Sequence, residues 1–281
     1  MRIDRRWLHV VGLLAFAAAT VYAVRHQPPE MRDIAPGWLA LGSLLALAST
    51  FLQAIHTHVF LAERPIAGRL LVATWLTAER AWLNTLLPAK AGTLTAMAVI
   101  SSKLGISMAR YVRFAVLSAT VTAMISLVGV AALLVQDPWA RAAIIASVLL
   151  LVPASRWIYP VLPGQAFSLV GSGILTLLTI SAGISTCIVG LGHASLTTQD
   201  SASIGLVLNL LSVVAITPGN FGVRELLLAA VSPILEVDMA VVLQGSACYV
   251  VLRLAASALL AMLLRPRALE ALPSNGTPPP S

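Results

Sequence analysis

The sequence predicts an all-α polytopic membrane protein with about six transmembrane helices and two re-entrant broken hairpins in an inverted repeat. Of its 281 residues, 58% are hydrophobic and only 10% are charged, whereas about 25% of the residues of soluble domains are charged. Several apolar runs reach the roughly 20 residues that a helix needs to cross a bilayer. Two further apolar segments are interrupted by proline, glycine and charged residues.

Six runs with few charges are predicted to be transmembrane helices. They are residues 7–24, 37–62, 110–135, 139–160, 165–192 and 237–264. The fourth run is the weakest, because its charge-free apolar part is short and Pro153 and Arg156 follow it. Basic residues precede the first run, as in a signal peptide, but an uncleaved first helix is the simpler interpretation because the rest of the chain also spans the membrane.

The two interrupted segments are residues 69–107 and 202–235, and the distribution of basic residues predicts how they run. Lysine and arginine are enriched in cytoplasmic loops. If both segments enter and leave on one side, eleven of the 18 basic residues are cytoplasmic, three are outside and four lie at membrane depth. If the first segment crossed, the bias would fall to eight against six. The re-entrant interpretation therefore predicts cytoplasmic termini and a disordered tail over residues 265–281.

The interruptions recur at a fixed distance, which predicts an internal repeat. Pro88 and Gly92 have counterparts 130 residues later, at Pro218 and Gly222. Each half of a single membrane domain, residues 1–264, then contains two spans, a broken hairpin and one span. The halves are residues 1–135 and 139–264, and the second is inverted because each crosses three times. Inverted halves with broken helices are typical of transporters with a site near the bilayer midplane.

Charged side chains at membrane depth are the candidate site. A charge at the bilayer centre costs about 2.5–3.5 kcal/mol, so each needs a partner or solvent. They could be ion pairs that hold the broken helices in register. Alternatively, the cations bind a lipid phosphate, because guanidinium groups and helix N-termini are good phosphate donors. Glu225 would then hold Arg224 in place or bind a proton or cation. The charged residues concerned are Glu79, Arg80, Lys90, Arg224, Glu225 and Arg253.

The hairpin tips should meet water or each other, because lipid cannot satisfy the backbone groups that a proline releases. The residues that form these tips are Pro88, Gly92, Pro218, Gly219 and Gly222. Asn84 and Asn209 lie near the hairpins, where they either line a polar path or form interhelical hydrogen bonds.

Other polar and small residues predict packing rather than chemistry. His56 and His58 are two residues apart, on nearly opposite faces of a helix, so they are poor joint metal ligands, and no metal or cofactor is predicted. Gly183 and Gly190, two turns apart, predict close helix packing. The sequence contains none of the catalytic motifs of hydrolases or metalloproteases that we considered, which favours a transporter over an enzyme.

Three short segments carry a family resemblance. Residues 88–92 read Pro-Ala-Lys-Ala-Gly, residues 102–107 read Ser-Lys-Leu-Gly-Ile-Ser, and residues 218–225 read Pro-Gly-Asn-Phe-Gly-Val-Arg-Glu. They resemble the signature segments of the flippase-like membrane domain of lysylphosphatidylglycerol synthases, and the resemblance spans about residues 38–264.

The resemblance implies a lipid translocase fold with two re-entrant hairpins, and functional positions at Lys90, Arg224 and Glu225. Members usually have Pro-Gly-Arg-x-Gly-Glu in the first signature, where this chain has Ala89, Lys90 and Thr93 in place of the glycine at the second position, the arginine and the acid. The sequence has no counterpart of the aminoacyl-transferring domain, so synthase activity is not implied.

Two functions follow as expectations. The first is transport of an anionic or zwitterionic phospholipid, or of a lipid-linked glycan, between the leaflets of the inner membrane. The second is a scaffold without transport activity for a partner that modifies lipids or assembles glycans, such as a glycosyltransferase. Nucleic acid is not an expected partner, because topology accounts for the net charge of +7.

Overall fold

The computed structural model describes residues 21, 25, 34–86, 91–135, 137–158, 162–193, 196–213, 223–231 and 238–272. Within these ranges the chain forms helices and turns and contains no strand. The α-helices are α1 (Pro36–Phe60), α2 (Arg69–Leu86), α3 (Ala91–Leu104), α4 (Met108–Leu134), α5 (Pro138–Ala146), α6 (Leu151–Ile158), α7 (Pro163–Gly190), α8 (Thr198–Val213), α9 (Val223–Val231) and α10 (Met239–Glu270).

Five stretches of the described chain are long and apolar enough to cross a membrane: Pro36–Phe60, Met108–Ala132, Pro138–Ser155, Pro163–Gly190 and Met239–Glu270. They confirm five of the six predicted spans, so the protein is an all-α, multi-pass membrane protein. The predicted first span, residues 7–24, lies outside the described residues except for Val21. The weak fourth span consists of α5, a 3-10 turn at Ser147–Leu150 and the start of α6.

Short polar side chains begin several of these helices. The side chains of Ser107, Asp137 and Asp238 accept hydrogen bonds from backbone N–H groups in the first turns of α4, α5 and α10. Such caps satisfy donors that have no partner inside the helix. Pro138 follows Asp137 at the first position of α5, where the missing N–H of proline costs no helical hydrogen bond.

The predicted disordered tail is wrong at its start, because α10 continues to Glu270. Pro266 lies inside the helix and removes one backbone hydrogen bond. The next turns nevertheless bury Ala268 completely and leave Leu272 only 7% exposed. These side chains, four residues apart on one face, pack into the core beside α1 and α2. Their burial stabilises the helix beyond the proline, and residues 273–281 lie outside the described residues.

Basic residues gather at one end of the helix bundle, which we call the basic end. Arg64 Nη2 donates a hydrogen bond of 3.4 Å to the carbonyl oxygen of Gly105, and Arg69 and Leu264 line one cavity. These contacts place six cations at this end: Arg64, Arg69, Lys103, Arg110, Arg265 and Arg267. At the opposite end, which we call the far end, the backbone N–H of Ala35 donates to the carbonyl oxygen of Gly190 at 3.0 Å.

The first interrupted segment enters and leaves at the basic end. It begins at Arg69, the first residue of α2, and α3 ends at Leu104, directly before the glycine that contacts Arg64. The 14 residues of α3 extend about 21 Å, which is shorter than a hydrocarbon core. The prediction of a re-entrant hairpin is confirmed here, and its tip, residues 87–90, lies outside the described residues.

The second interrupted segment opens at the far end. Ser201 Oγ, near the start of α8, donates to the carbonyl oxygen of Ser181 in the second half of α7. After α9 the chain returns to the start of α10, where His193 Nε2 and Gln244 Oε1 are 2.8 Å apart. The two hairpins therefore open at opposite ends of the bundle, as an inverted repeat requires. The division into halves at residues 135 and 139 stays a prediction.

The predicted close packing at two glycines of α7 is confirmed. A Cβ added to Gly183 would collide with the ring of Tyr249 on α10, and a Cβ on Gly190 would lie 2.7 Å from Leu39 Cδ2 on α1. Because neither glycine has a side chain, both neighbouring helices approach the backbone of α7.

Candidate functional site

One face of α2 carries three buried polar atoms that have no hydrogen-bond partner in the described structure. They are Trp75 Nε1, Glu79 Oε2 and Trp82 Nε1. The spacing of four and three residues places them on the same side of the helix, so two N–H donors flank one carboxylate acceptor. A buried polar group without a partner is costly and needs an explanation. We call this face the α2 polar face.

Glu79 and Arg80 lie near the middle of the membrane-embedded layer, at the same level as Arg253. Arg69 of α2 and Leu264 of α10 line one cavity at the basic end, and these two helices pack against each other. Arg80 lies eleven residues from Arg69 along α2, and Arg253 lies eleven residues from Leu264 along α10. At 1.5 Å per residue the depth is about 16 Å, roughly half of a 30 Å hydrocarbon core.

Arg253 is held by α1. Its Nη2 donates a hydrogen bond of 2.9 Å to Gln53 Oε1. One turn away, the hydroxyl of Tyr249 donates to Ser49 Oγ at 3.2 Å, so polar residues four apart on α1 face polar residues four apart on α10. Gln53 is neutral, so it does not balance the positive charge of Arg253.

Gln53 is the site residue that sequence reasoning missed. The signal for it is polar residues at four-residue spacing, Ser49, Gln53 and Thr57, in an otherwise apolar helix. The structure places Ser49 and Thr57 in hydrogen bonds to α10 and α2.

The two histidines of α1 have separate surroundings. His56 is buried, and its Nδ1 lies 2.6 Å from Ser118 Oγ of α4. Thr77 of α2 hydrogen-bonds with Thr57 of α1, and Arg80, three residues later, lies on the same side of α2. His58 instead lines the cavity at the basic end.

Asn84 and Gly92 hold the two helices of the first hairpin together. Asn84 Oδ1 accepts from the backbone N–H of Thr93, and Asn84 Nδ2 donates to Thr93 Oγ1, both at 3.0 Å. A Cβ on Gly92 would lie 2.5 Å from the carbonyl oxygen of Arg80. Asn84 is predicted either to line a polar path or to form an interhelical hydrogen bond, and the structure shows the hydrogen bond. Its partner, Thr93, stands where the resembled signature has an acid.

The second hairpin contributes a buried acid. Glu225 lies in the first turn of α9 and is 6% exposed, where a carboxylate interacts favourably with the helix dipole. Asn209 Nδ2 donates to Ser126 Oγ of α4 at 3.1 Å, which is again an interhelical hydrogen bond. Several predicted site residues lie outside the described structure: Pro88, Lys90, Pro218, Gly219, Gly222 and the side chain of Arg224.

The described residues thus bring charges of both signs and neutral donors to one depth. Arg80 and Arg253 are on packed helices, and the α2 polar face adds an acceptor at Glu79. Guanidinium groups bind phosphate through charge-assisted hydrogen bonds. A carboxylate oxygen accepts from an ammonium or hydroxyl group. Partners for a phosphate and for a donor are thus present at one depth, with Glu79 and Arg80 on different faces of α2.

No family model, curated protein or solved structure matches the chain. The resemblance to the flippase-like domain therefore stays a prediction. In the part of the chain that the structure describes, no group of three or more His, Cys, Asp or Glu is arranged to hold a metal ion.

Proposed function

We propose that the protein is a lipid translocase of the cell (inner) membrane, with both termini in the cytoplasm. Its substrate is an anionic or zwitterionic phospholipid or a lipid-linked glycan, moved between leaflets without a catalysed reaction. The α2 polar face is the observation that carries the proposal. A polar head group that crosses the hydrocarbon layer loses water, and buried donors and acceptors without protein partners can replace that water.

Each charged group binds a different part of the head group. Arg253 binds the phosphate, which competes with the neutral oxygen of Gln53 for the guanidinium. Arg80 adds a second positive charge at the same depth. Glu79 accepts from the ammonium or hydroxyl groups of the head group. An anionic or zwitterionic lipid satisfies these groups better than a neutral or cationic one.

The opposite openings of the two hairpins provide alternating access. The first hairpin separates the site from the basic end, and the second separates it from the far end. Movement of one hairpin at a time would expose the site to one leaflet and then to the other, as in transporters built from inverted repeats. Lys90, Arg224 and Glu225, which the flippase-like resemblance implies as functional, would extend this site at the hairpin tips.

Leaflet exchange in reconstituted liposomes tests the proposal. Fluorescent phospholipids are added to proteoliposomes, and the fraction protected from a membrane-impermeant quencher gives the exchange rate. We expect Glu79→Gln and Arg253→Gln to slow exchange at least tenfold. The double variant Arg224→Ala/Glu225→Ala should do the same. Arg265→Gln and Glu270→Gln change the same types of charge at exposed positions and should exchange at the native rate.

Native exchange rates in folded Glu79→Gln and Arg253→Gln would contradict transport through this site. That result would favour the scaffold function. A scaffold is then expected to stop supporting its lipid-modifying or glycan-assembling partner when the basic residues of segment 103–113, around the turn between α3 and α4, are changed. It should tolerate the site variants. Melting temperatures of the purified variants separate loss of function from loss of fold.

A further inference from the structure

A cavity of about 710 Å³ opens at the basic end between α1, α2 and α10. This volume lies in the range of small-molecule sites. Phe51 and Leu70 on its walls are 46% and 41% exposed on the outer surface, and Leu260 and Leu264 line its α10 side. The cavity is thus largely apolar and borders the surface that faces lipid.

Two polar atoms on the cavity residues have no partner in the described structure. They are His58 Nδ1, from the last turn of α1, and Arg69 Nε, from the first residue of α2. Thr74, the other polar lining residue, donates its hydroxyl hydrogen to the carbonyl oxygen of Leu70 at 2.8 Å. None of the described residues that line the cavity is acidic, so no described carboxylate lies beside the charge of Arg69 there.

The cavity lies at the depth where a phospholipid places its phosphate. Its apolar walls belong to the membrane-spanning helices α1 and α10 and to α2. Its polar groups lie next to residues 61–68, a loop with one arginine, Arg64, and one acid, Glu63. A cation at the boundary between apolar helix surface and a loop is well placed for an anionic head group.

We propose that this cavity binds a phospholipid with an anionic head group from the adjoining leaflet. The phosphate lies between Arg69 and His58, and an acyl chain lies against Phe51, Leu260 and Leu264. A free phosphate ion would use the two polar residues and leave the apolar walls without a contact. This site is about 16 Å along α2 from the level of Arg80 and Arg253. It is therefore separate from the proposed transport site, and lipid binding here does not depend on transport.

Native mass spectrometry of the purified chain tests the site. The probes are phosphatidic acid, phosphatidylcholine with the same acyl chains, and glycerol 3-phosphate, which has the phosphate without the chains. We expect the native chain to bind phosphatidic acid at least fivefold more tightly than phosphatidylcholine. Arg69→Gln should abolish this preference. Arg265→Gln removes an equal charge at the same end but outside the cavity, and should keep it.

A further variant separates the cavity from its charge. Leu260→Trp fills the apolar part and leaves both polar residues in place, so it should reduce binding of phosphatidic acid at least fivefold. This result is informative even if Arg69→Gln, at the start of α2, fails to fold.

Four results would overturn the proposal. Two are an unchanged preference in folded Arg69→Gln and unchanged binding in Leu260→Trp. The third is an equal loss in Arg265→Gln, which would indicate general attraction to the basic end. The fourth is displacement of phosphatidic acid by equimolar glycerol 3-phosphate, which would indicate a site for soluble phosphate compounds. Native leaflet exchange in an Arg69→Gln chain that no longer binds phosphatidic acid would leave the transport proposal intact.

Discussion

The two hairpins are stabilised in different ways. In the first, α2 and α3 contact each other directly: Asn84 binds Thr93, and Gly92 allows the backbones to meet. In the second, α8 packs against α9 as well, but it is also attached to helices outside the hairpin, through Asn209 to α4 and at Gly205 to α7. The first hairpin is therefore closed by specific contacts between its own two helices, whereas α8 is attached mainly to the bundle around it.

The hairpins also differ in their polar content. The first carries Glu79 and Arg80 near the middle of α2, with the unpartnered atoms of the α2 polar face. The only charged residue of α8 is Asp200, in its first turn at the far end, and the described acid of the second hairpin, Glu225, lies in α9. Under the proposed alternating access the first hairpin moves as a unit, whereas α8 must release its contacts with α4 and α7 before the second hairpin moves.

The largest effect is expected at the close approach inside the first hairpin. Gly92→Ala places a Cβ 2.5 Å from the carbonyl oxygen of Arg80 and 2.9 Å from its Cα. Backbone atoms cannot rotate away, so the helices must separate, at a cost of about 1–3 kcal/mol. We expect a clearly lower melting temperature, measured by tryptophan fluorescence in detergent, and slower leaflet exchange.

The matched control for this substitution is Gly171→Ala in α7, where an added Cβ meets no atom within 4 Å. Alanine favours a helix over glycine by about 1 kcal/mol, so the melting temperature should stay the same or rise. Equal melting temperatures for the Gly92 and Gly171 variants would refute the close contact between α2 and α3.

A smaller effect is expected where α8 meets α7. A Cβ on Gly205 would collide with the side chain of Ser181 and lie 3.1 Å from its Cα. Because a serine side chain can be removed, Gly205→Ala should be rescued by Ser181→Gly, while each single variant lowers the melting temperature. A double-mutant cycle measures this coupling. Simple additivity of the two changes would show that α8 is not attached at this point.

Much of the fold could be predicted because membrane helices are specified by long apolar runs and basic loops. The re-entrant course of residues 69–107 followed from counting lysine and arginine, and the contact of Arg64 with Gly105 confirms it. The tail prediction failed at Pro266, since the sequence alone does not reveal that Ala268 and Leu272 reach the core.

The site could be predicted only in part. The charged residues stood out, because charge is rare at membrane depth. Their partners did not, since the pairing of Arg253 with Gln53 depends on how α1 and α10 are rotated and in which register they meet. The cavity at the basic end is likewise formed by three helices that are distant in sequence, so no local pattern indicates it.

The smallest effect is expected when Asn84 or Asn209 is replaced, because each substitution should loosen only its own hairpin. Interhelical hydrogen bonds in membrane proteins contribute about 0.6 kcal/mol on average and at most about 1.7. Asn84→Ala removes both hydrogen bonds to Thr93, so the backbone N–H of Thr93 loses its acceptor. We expect hydrogen exchange to accelerate in the first turn of α3, with little change in α8. Asn209→Ala should accelerate exchange in α8 and leave α3 protected, because its bond runs to Ser126 of α4. If either substitution accelerated exchange in both hairpins equally, the hairpins would be one cooperative unit, and the independent movement that alternating access requires would be lost.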